Sequence, residues 1–136
     1  SEGAYASFNC SPFSGDELER VEKNQTLLFQ SLSQAPRHLI IPFQTHGTKI
    51  LPVDEKFLGA SGQQQQEMLN GIDALITTEP GCCICISTAD CIPVLLYDRV
   101  HHAVAAVHAG WRGQWSILLD IRLRRCGLFL ERKDKM

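Results

Sequence analysis

Ala74-Leu75-Ile76-Thr77-Thr78, Cys82-Cys83-Ile84-Cys85-Ile86-Ser87-Thr88, Pro93-Val94-Leu95-Leu96-Tyr97 and His102-Ala103-Val104-Ala105-Ala106-Val107-His108 are four apolar runs within one stretch of chain. Each has the length of a strand rather than a helix. Glu79-Pro80-Gly81 separates the first two and reads as a turn by composition. The runs are near-continuously apolar instead of alternating, so they predict strands covered on both faces. That pattern places the chain in the α/β or α+β class.

Towards the N-terminus, Lys49 to Val53 predicts a short strand, and Leu39 to Gln44 a second one, at an edge or a bulge because of Pro42. Ser14-Gly15-Asp16-Glu17 has the form of a capping box. Behind it Leu18, Val21, Gln25, Leu28 and Leu32 recur at helical spacing, with Pro36 closing the element. Gly59 to Gln66 is rich in Gly, Ser and Gln and predicts a mobile loop, or the start of a helix through Met68 and Leu69. Towards the C-terminus the character changes. Residues 1–121 carry 7 Lys+Arg against 13 Asp+Glu, whereas residues 122–136 carry 6 against 2. A basic amphipathic helix from Trp115 onward is the plain reading of that stretch.

The bulk properties narrow the function. A length of 136 residues suggests one domain, able to bury about 70% of its unfolded surface. At 44% hydrophobic and 21% charged it matches globular averages, which excludes disorder, collagen-like repeats and coiled coil as the main class. No apolar run approaches the roughly 18 residues of a membrane span, and none has the flanks of a signal peptide. A net charge of −2 argues against an electrostatic nucleic-acid binder. Six cysteines, three of them crowded into residues 82–85, read as free thiols in a cytoplasmic protein and not as a disulfide framework.

Four short segments carry side chains suited to chemistry: Gln44-Thr45-His46-Gly47, Asp73-Ala74-Leu75-Ile76-Thr77, Ala89-Asp90-Cys91-Ile92-Pro93 and His108-Ala109-Gly110-Trp111-Arg112-Gly113. They lie at the ends of predicted strands, where loops gather side chains around a cleft. His46, Cys91 and His108 together offer two imidazoles and a thiolate. Such a three-ligand set leaves a fourth tetrahedral position open, as in catalytic zinc sites. The same set is also the trigonal core of a blue-copper site, which would make the chain a copper-dependent polyphenol oxidase, although neither Met68 nor Met136 is an obvious axial ligand. Without metal, Cys91 can be a thiolate nucleophile with His108 or His46 as its base, as in a cysteine hydrolase. The plainest alternative makes each His a satisfied polar residue beside a turn, and Cys91 core filler like Cys83 and Cys85. His101-His102 reads as a turn, because adjacent strand residues point to opposite faces. In Gly110-Trp111-Arg112-Gly113 the guanidinium can hold phosphate or carboxylate bidentately, or stack on Trp111 at the surface.

Taken in this order and at this spacing, QTHG, DALIT, ADCIPVLL and VHAGWRG resemble the laccase-domain family, also called the multicopper polyphenol oxidoreductase family. Its members are mostly regarded as zinc-dependent purine nucleoside phosphorylases. Gly3-Ala4-Tyr5-Ala6-Ser7-Phe8-Asn9, Gly15-Asp16 and Asn24 extend the likeness, which covers about residues 1–113. The resemblance implies an α/β (α+β) fold of mixed sheets packed by helices. It also implies zinc (alternatively copper) on His46, Cys91 and His108. Asp90 and Arg112 would then have catalytic roles, with Arg112 and Asp73 binding substrate. Asp73 and Asp90 are expected to line or brace the site, where either can orient an imidazole. The partners implied are a purine nucleoside and phosphate, with phosphorolysis of adenosine, inosine, guanosine or methylthioadenosine, and adenosine deamination beside it. Family members begin earlier and continue well past HAGWRG. The chain is therefore expected to be an incomplete form of the fold, with residues 114–136 an atypical basic tail from a frameshift or a wrong gene model. An intact frame ending at Met136 in the genomic locus would contradict that expectation.

Overall fold

The structure, a computed structural model, describes residues 2–110. A 3-10 turn at Gly3–Tyr5 leads into α1 (Leu18–Ser31), β1 (His38–Ile40), β2 (Ile50–Pro52), α2 (Glu55–Leu58) and α3 (Gly62–Leu69). The strands β3 (Ala74–Thr77), β4 (Cys82–Ile84), β5 (Ile92–Asp98) and β6 (Ala103–Ala109) follow. They form two sheets. β1 and β4 pair in parallel, and a four-stranded mixed sheet has the order β2-β3-β6-β5. Within that sheet β2 runs parallel to β3, while β6 is antiparallel to both β3 and β5. The mixed α/β class read from the apolar runs is the one observed. Arg112 and the 114–136 tail lie outside the described residues.

The central pair behaves as the composition predicts. All of β3 is buried, as is β6 apart from Val104. Leu75 points into a core with Val53, Phe57, Leu69 and Ile72, against which Met68 packs. Ala74 and Val107, on the other face, pack with Ala109. Two small helices supply much of the first core, and both are properly capped. Asp54 accepts the Phe57 N–H at the start of α2. Ser61 and Gln64 form a complete capping box on α3, which settles the Gln-rich stretch as helix. The Ser-x-x-Gln signal for that box was present in the sequence.

Two expectations are corrected. Ser14 does not cap α1. Its hydroxyl accepts from the Asn9 amide and the Asp16 N–H and donates to the Ser11 carbonyl, so it stabilises the preceding turn. The helix starts at Leu18 with Glu17 as an uncapped N-cap. It is anchored by a polar contact, the Asn24 amide donating to the Asn9 carbonyl at 2.7 Å, while Leu18, Leu27 and Leu32 stay exposed. The second correction concerns β5. It lies at the sheet edge with Ile92 60%, Leu95 77% and Tyr97 61% exposed, so its apolar character does not reflect cover on both faces. Among the described residues no helix is long and apolar enough to cross a membrane.

Candidate metal centre

The registers of the four-stranded sheet bring the four chemical segments to one end. Ala74 faces Val107 across β3 and β6, so Asp73 and His108 stand opposite each other one step further on. The His108 N–H donates to the Asp73 carbonyl at 2.8 Å, extending the ladder to that pair. On the other side of β6, His108 faces Pro93 of β5, which brings Cys91, two residues upstream, to the same end. Parallel pairing of Ile50 with Ala74 places the chain entering β2, and with it the loop carrying His46, beside Asp73. Strand register alone thus brings together residues far apart in sequence.

The side chains converge accordingly. The ligand atoms offered by His46, Cys91 and His108 all lie within 4.8 Å of one another, with His46 exposed, Cys91 half-buried and His108 buried. The two imidazoles meet edge to face, 4.8 Å between ring centroids. The set suits a metal ion in its donor chemistry and in its convergence: two borderline nitrogens and one sulfur, open on one side.

Asp73 organises this arrangement from beneath. It is 0% exposed, and its oxygens accept the backbone N–H groups of Thr45, His46 and Gly47 at 3.3, 3.0 and 2.8 Å. Three successive N–H groups around a carboxylate form an anion-binding nest. His46 adopts φ +57 within it, a left-handed backbone that L-residues rarely take without such support. Oδ1 of Asp73 also lies 2.9 Å from His108 Nδ1. A carboxylate can only accept, so Nδ1 carries a proton, and the tautomer this selects in a neutral ring presents the Nε2 lone pair to a metal. Asp73 thus ties the His46 loop to the His108 ring, and it has no exposed surface of its own.

Gln44 joins the two ligand loops, a role without any local signal in the residues around it. Its amide donates to the Ser87 carbonyl at 2.8 Å and accepts the Ser87 N–H at 2.6 Å, tying the His46 loop to the segment that leads into Cys91. The centre opens into a cleft of about 480 Å³, whose wall includes Phe13, Phe43, Thr88 and the exposed Asp90. That volume falls in the range of small-molecule sites.

The other thiols stand apart. Cys82 and Cys85 have CxxC spacing, yet in the structure it is Cys83 and Cys85 that meet, Sγ to Sγ at 3.7 Å. Burial, and then the neighbouring Cys83, push the Cys85 thiol up to about 12, so it stays protonated. Cys82 packs against the core, and none of the three belongs to the cluster of His46, Cys91 and His108. His101 and His102 lie in the turn between β5 and β6, where His101 Nδ1 sits 2.7 Å from Asp98 Oδ2.

The chain is similar to several known proteins. The chain is 65% identical over 125 residues to a purine nucleoside phosphorylase of Bacteroides thetaiotaomicron, covering 92% of the chain and 46% of that protein. It is 37% identical over 110 residues to adenosine deaminase RL5 from an unknown prokaryotic organism, covering 81% of the chain and 42% of that protein. Among solved structures, the Bacillus licheniformis hypothetical protein YfiH superposes with a TM-score of 0.74 at 29% identity, over 93% of this chain and 49% of that one. YlmD from Geobacillus stearothermophilus gives 0.73 at 27%, over 91% and 48%. The chain thus spans about half the length of the relatives it matches. The sequence profile of the family described as multi-copper polyphenol oxidoreductase laccase matches residues 1–126, and this chain belongs to that family.

Proposed function

We propose that the chain holds one zinc ion on His46, Cys91 and His108 and takes part in phosphorolysis of purine nucleosides. The convergence of these three donors at a cleft carries the reading, together with the 65% identity to a purine nucleoside phosphorylase. Zinc is favoured over copper because Met68 does not line the cleft. It packs on the core and borders a separate hollow with Lys56 and Glu67, leaving a blue-copper arrangement without that thioether.

When bound, the metal supplies Lewis acidity and a template for one reaction partner. The chain's own groups supply the rest. Asp73 fixes the His108 ring and the His46 loop, so little reorganisation is needed as charge develops. Arg112 is assigned to phosphate, which a guanidinium holds bidentately. Asp90, exposed on the cleft wall, is assigned to the substrate as the carboxylate that accepts a hydrogen bond or a proton. In the overall change the bond from the ribose anomeric carbon to the purine nitrogen breaks, and a bond from that carbon to a phosphate oxygen forms. A cytoplasmic setting fits the five described cysteines, none of which is in a disulfide.

The zinc-loaded chain is expected to release hypoxanthine from inosine only when phosphate is present, measured by chromatography of base and ribose 1-phosphate. Phosphate-independent release, or none, would contradict the proposal. The 37% relative favours adenosine deamination as the second reading. Ammonia release from adenosine without phosphate would report it.

A further inference from the structure

Phe43 immediately precedes Gln44, on the loop that carries His46, and the residue is 42% exposed on the wall of the metal cleft. The residue is firmly held. Its N–H donates to the Leu69 carbonyl at 3.0 Å, and its carbonyl accepts the Gly71 N–H at 2.8 Å. The ring rests against Phe13, 5.5 Å between centroids and tilted by 56°, and Phe13 packs in turn against the core. A large apolar ring held rigid on one side and open to a cleft on the other has a surface that loses nothing further in conformational entropy when it is covered. Polar groups flank it within the same cleft: the Ser11 and Thr88 residues and the Asp90 carboxylate. The neighbouring Gln44 amide gives one N–H and one lone pair to Ser87, which fixes its orientation on the cleft wall. The wall therefore suits a flat, π-faced ligand part attached to a polar one.

We propose that Phe43, backed by Phe13, is the platform on which the nucleobase of the substrate stacks at the mouth of the metal cleft. This rests on the purine-nucleoside reading given above. Stacking of a base on an aromatic ring contributes substantially to affinity and depends on the π-face, not on a hydrogen-bond pattern.

The test is calorimetric binding of inosine and, separately, ribose 1-phosphate to the zinc-loaded full chain. Phe43→Ala is expected to weaken inosine binding about tenfold. Ribose 1-phosphate affinity and zinc content should be unchanged, and Phe43→Trp should bind inosine at least as well as the parent. Because the backbone contacts of Phe43 do not involve its ring, neither variant removes them. Inosine binding by Phe43→Ala equal to the parent would overturn the platform while leaving the purine reading intact. Equal loss of both ligands would mark a structural role and overturn it too. A parent chain that binds neither ligand would overturn the purine reading itself, and the platform with it.

Discussion

Asp73→Asn is expected to loosen the whole centre while changing the shape of one side chain very little. The asparagine keeps one acceptor oxygen but points an NH₂ at donors that now meet a carboxylate: the N–H groups of Thr45, His46 and Gly47, and His108 Nδ1. Several charge-assisted hydrogen bonds weaken at once at a site that is 0% exposed, where water cannot replace them. The expected cost is about 3 kcal/mol, or a fall in Tm of about 10 °C. It should be measured with chelator present so that metal binding does not mask it. Metal affinity should fall by about ten- to a hundredfold, the usual effect of removing the partner that orients a ligating histidine. Unchanged stability in chelator would mean that the nest around Asp73 contributes nothing to the fold.

Cys91→Ser is expected to remove the metal site while sparing the fold. The sulfur is the soft donor of the set, and a hydroxyl does not replace it. Zinc affinity should drop by more than about a hundredfold. With zinc at a thousandfold excess over the parent's Kd the parent gains about 4 kcal/mol of stability, and at the same zinc concentration the variant should gain about 1.4 kcal/mol or less. Alkylation provides an independent reading. In the metal-free parent Cys91 should react with iodoacetamide and be protected by zinc. Cys85, held protonated by burial and by Cys83, should react slowly in either state. If zinc stabilises Cys91→Ser as much as the parent, the ion is bound elsewhere. If it fails to protect Cys91, the thiol is free, as a cysteine nucleophile would need.

Much of the centre could be read in the sequence because its residues lie at strand ends. His46, Cys91 and His108 each sit where an apolar run meets Gly or Pro, and such positions collect at one edge of a sheet. Sequence could not show that Asp73 and His108 face each other, because pairing register depends on how strands distant in sequence associate. The left-handed backbone of His46 was hidden for a related reason: it is held by a carboxylate 27 residues away. Local signals failed where two uses compete for one side chain. Ser14 has the sequence of a helix cap, but Asn9 and Asp16 engage its hydroxyl in a turn. Apolarity misled at β5, since a strand at the sheet edge can be as hydrophobic as one in the middle and remain exposed. Motif resemblance carried the family and the expectation of a brace at Asp73; geometry alone revealed the Gln44 clamp.

The proposed metal site draws one side chain from each of three places: the His46 loop, the segment entering β5 and strand β6. Elemental analysis of the chain purified without chelator tests it most directly. About one zinc per chain is the expected result, as for a three-ligand site with an open fourth position. No metal bound, or copper in place of zinc, would contradict the account.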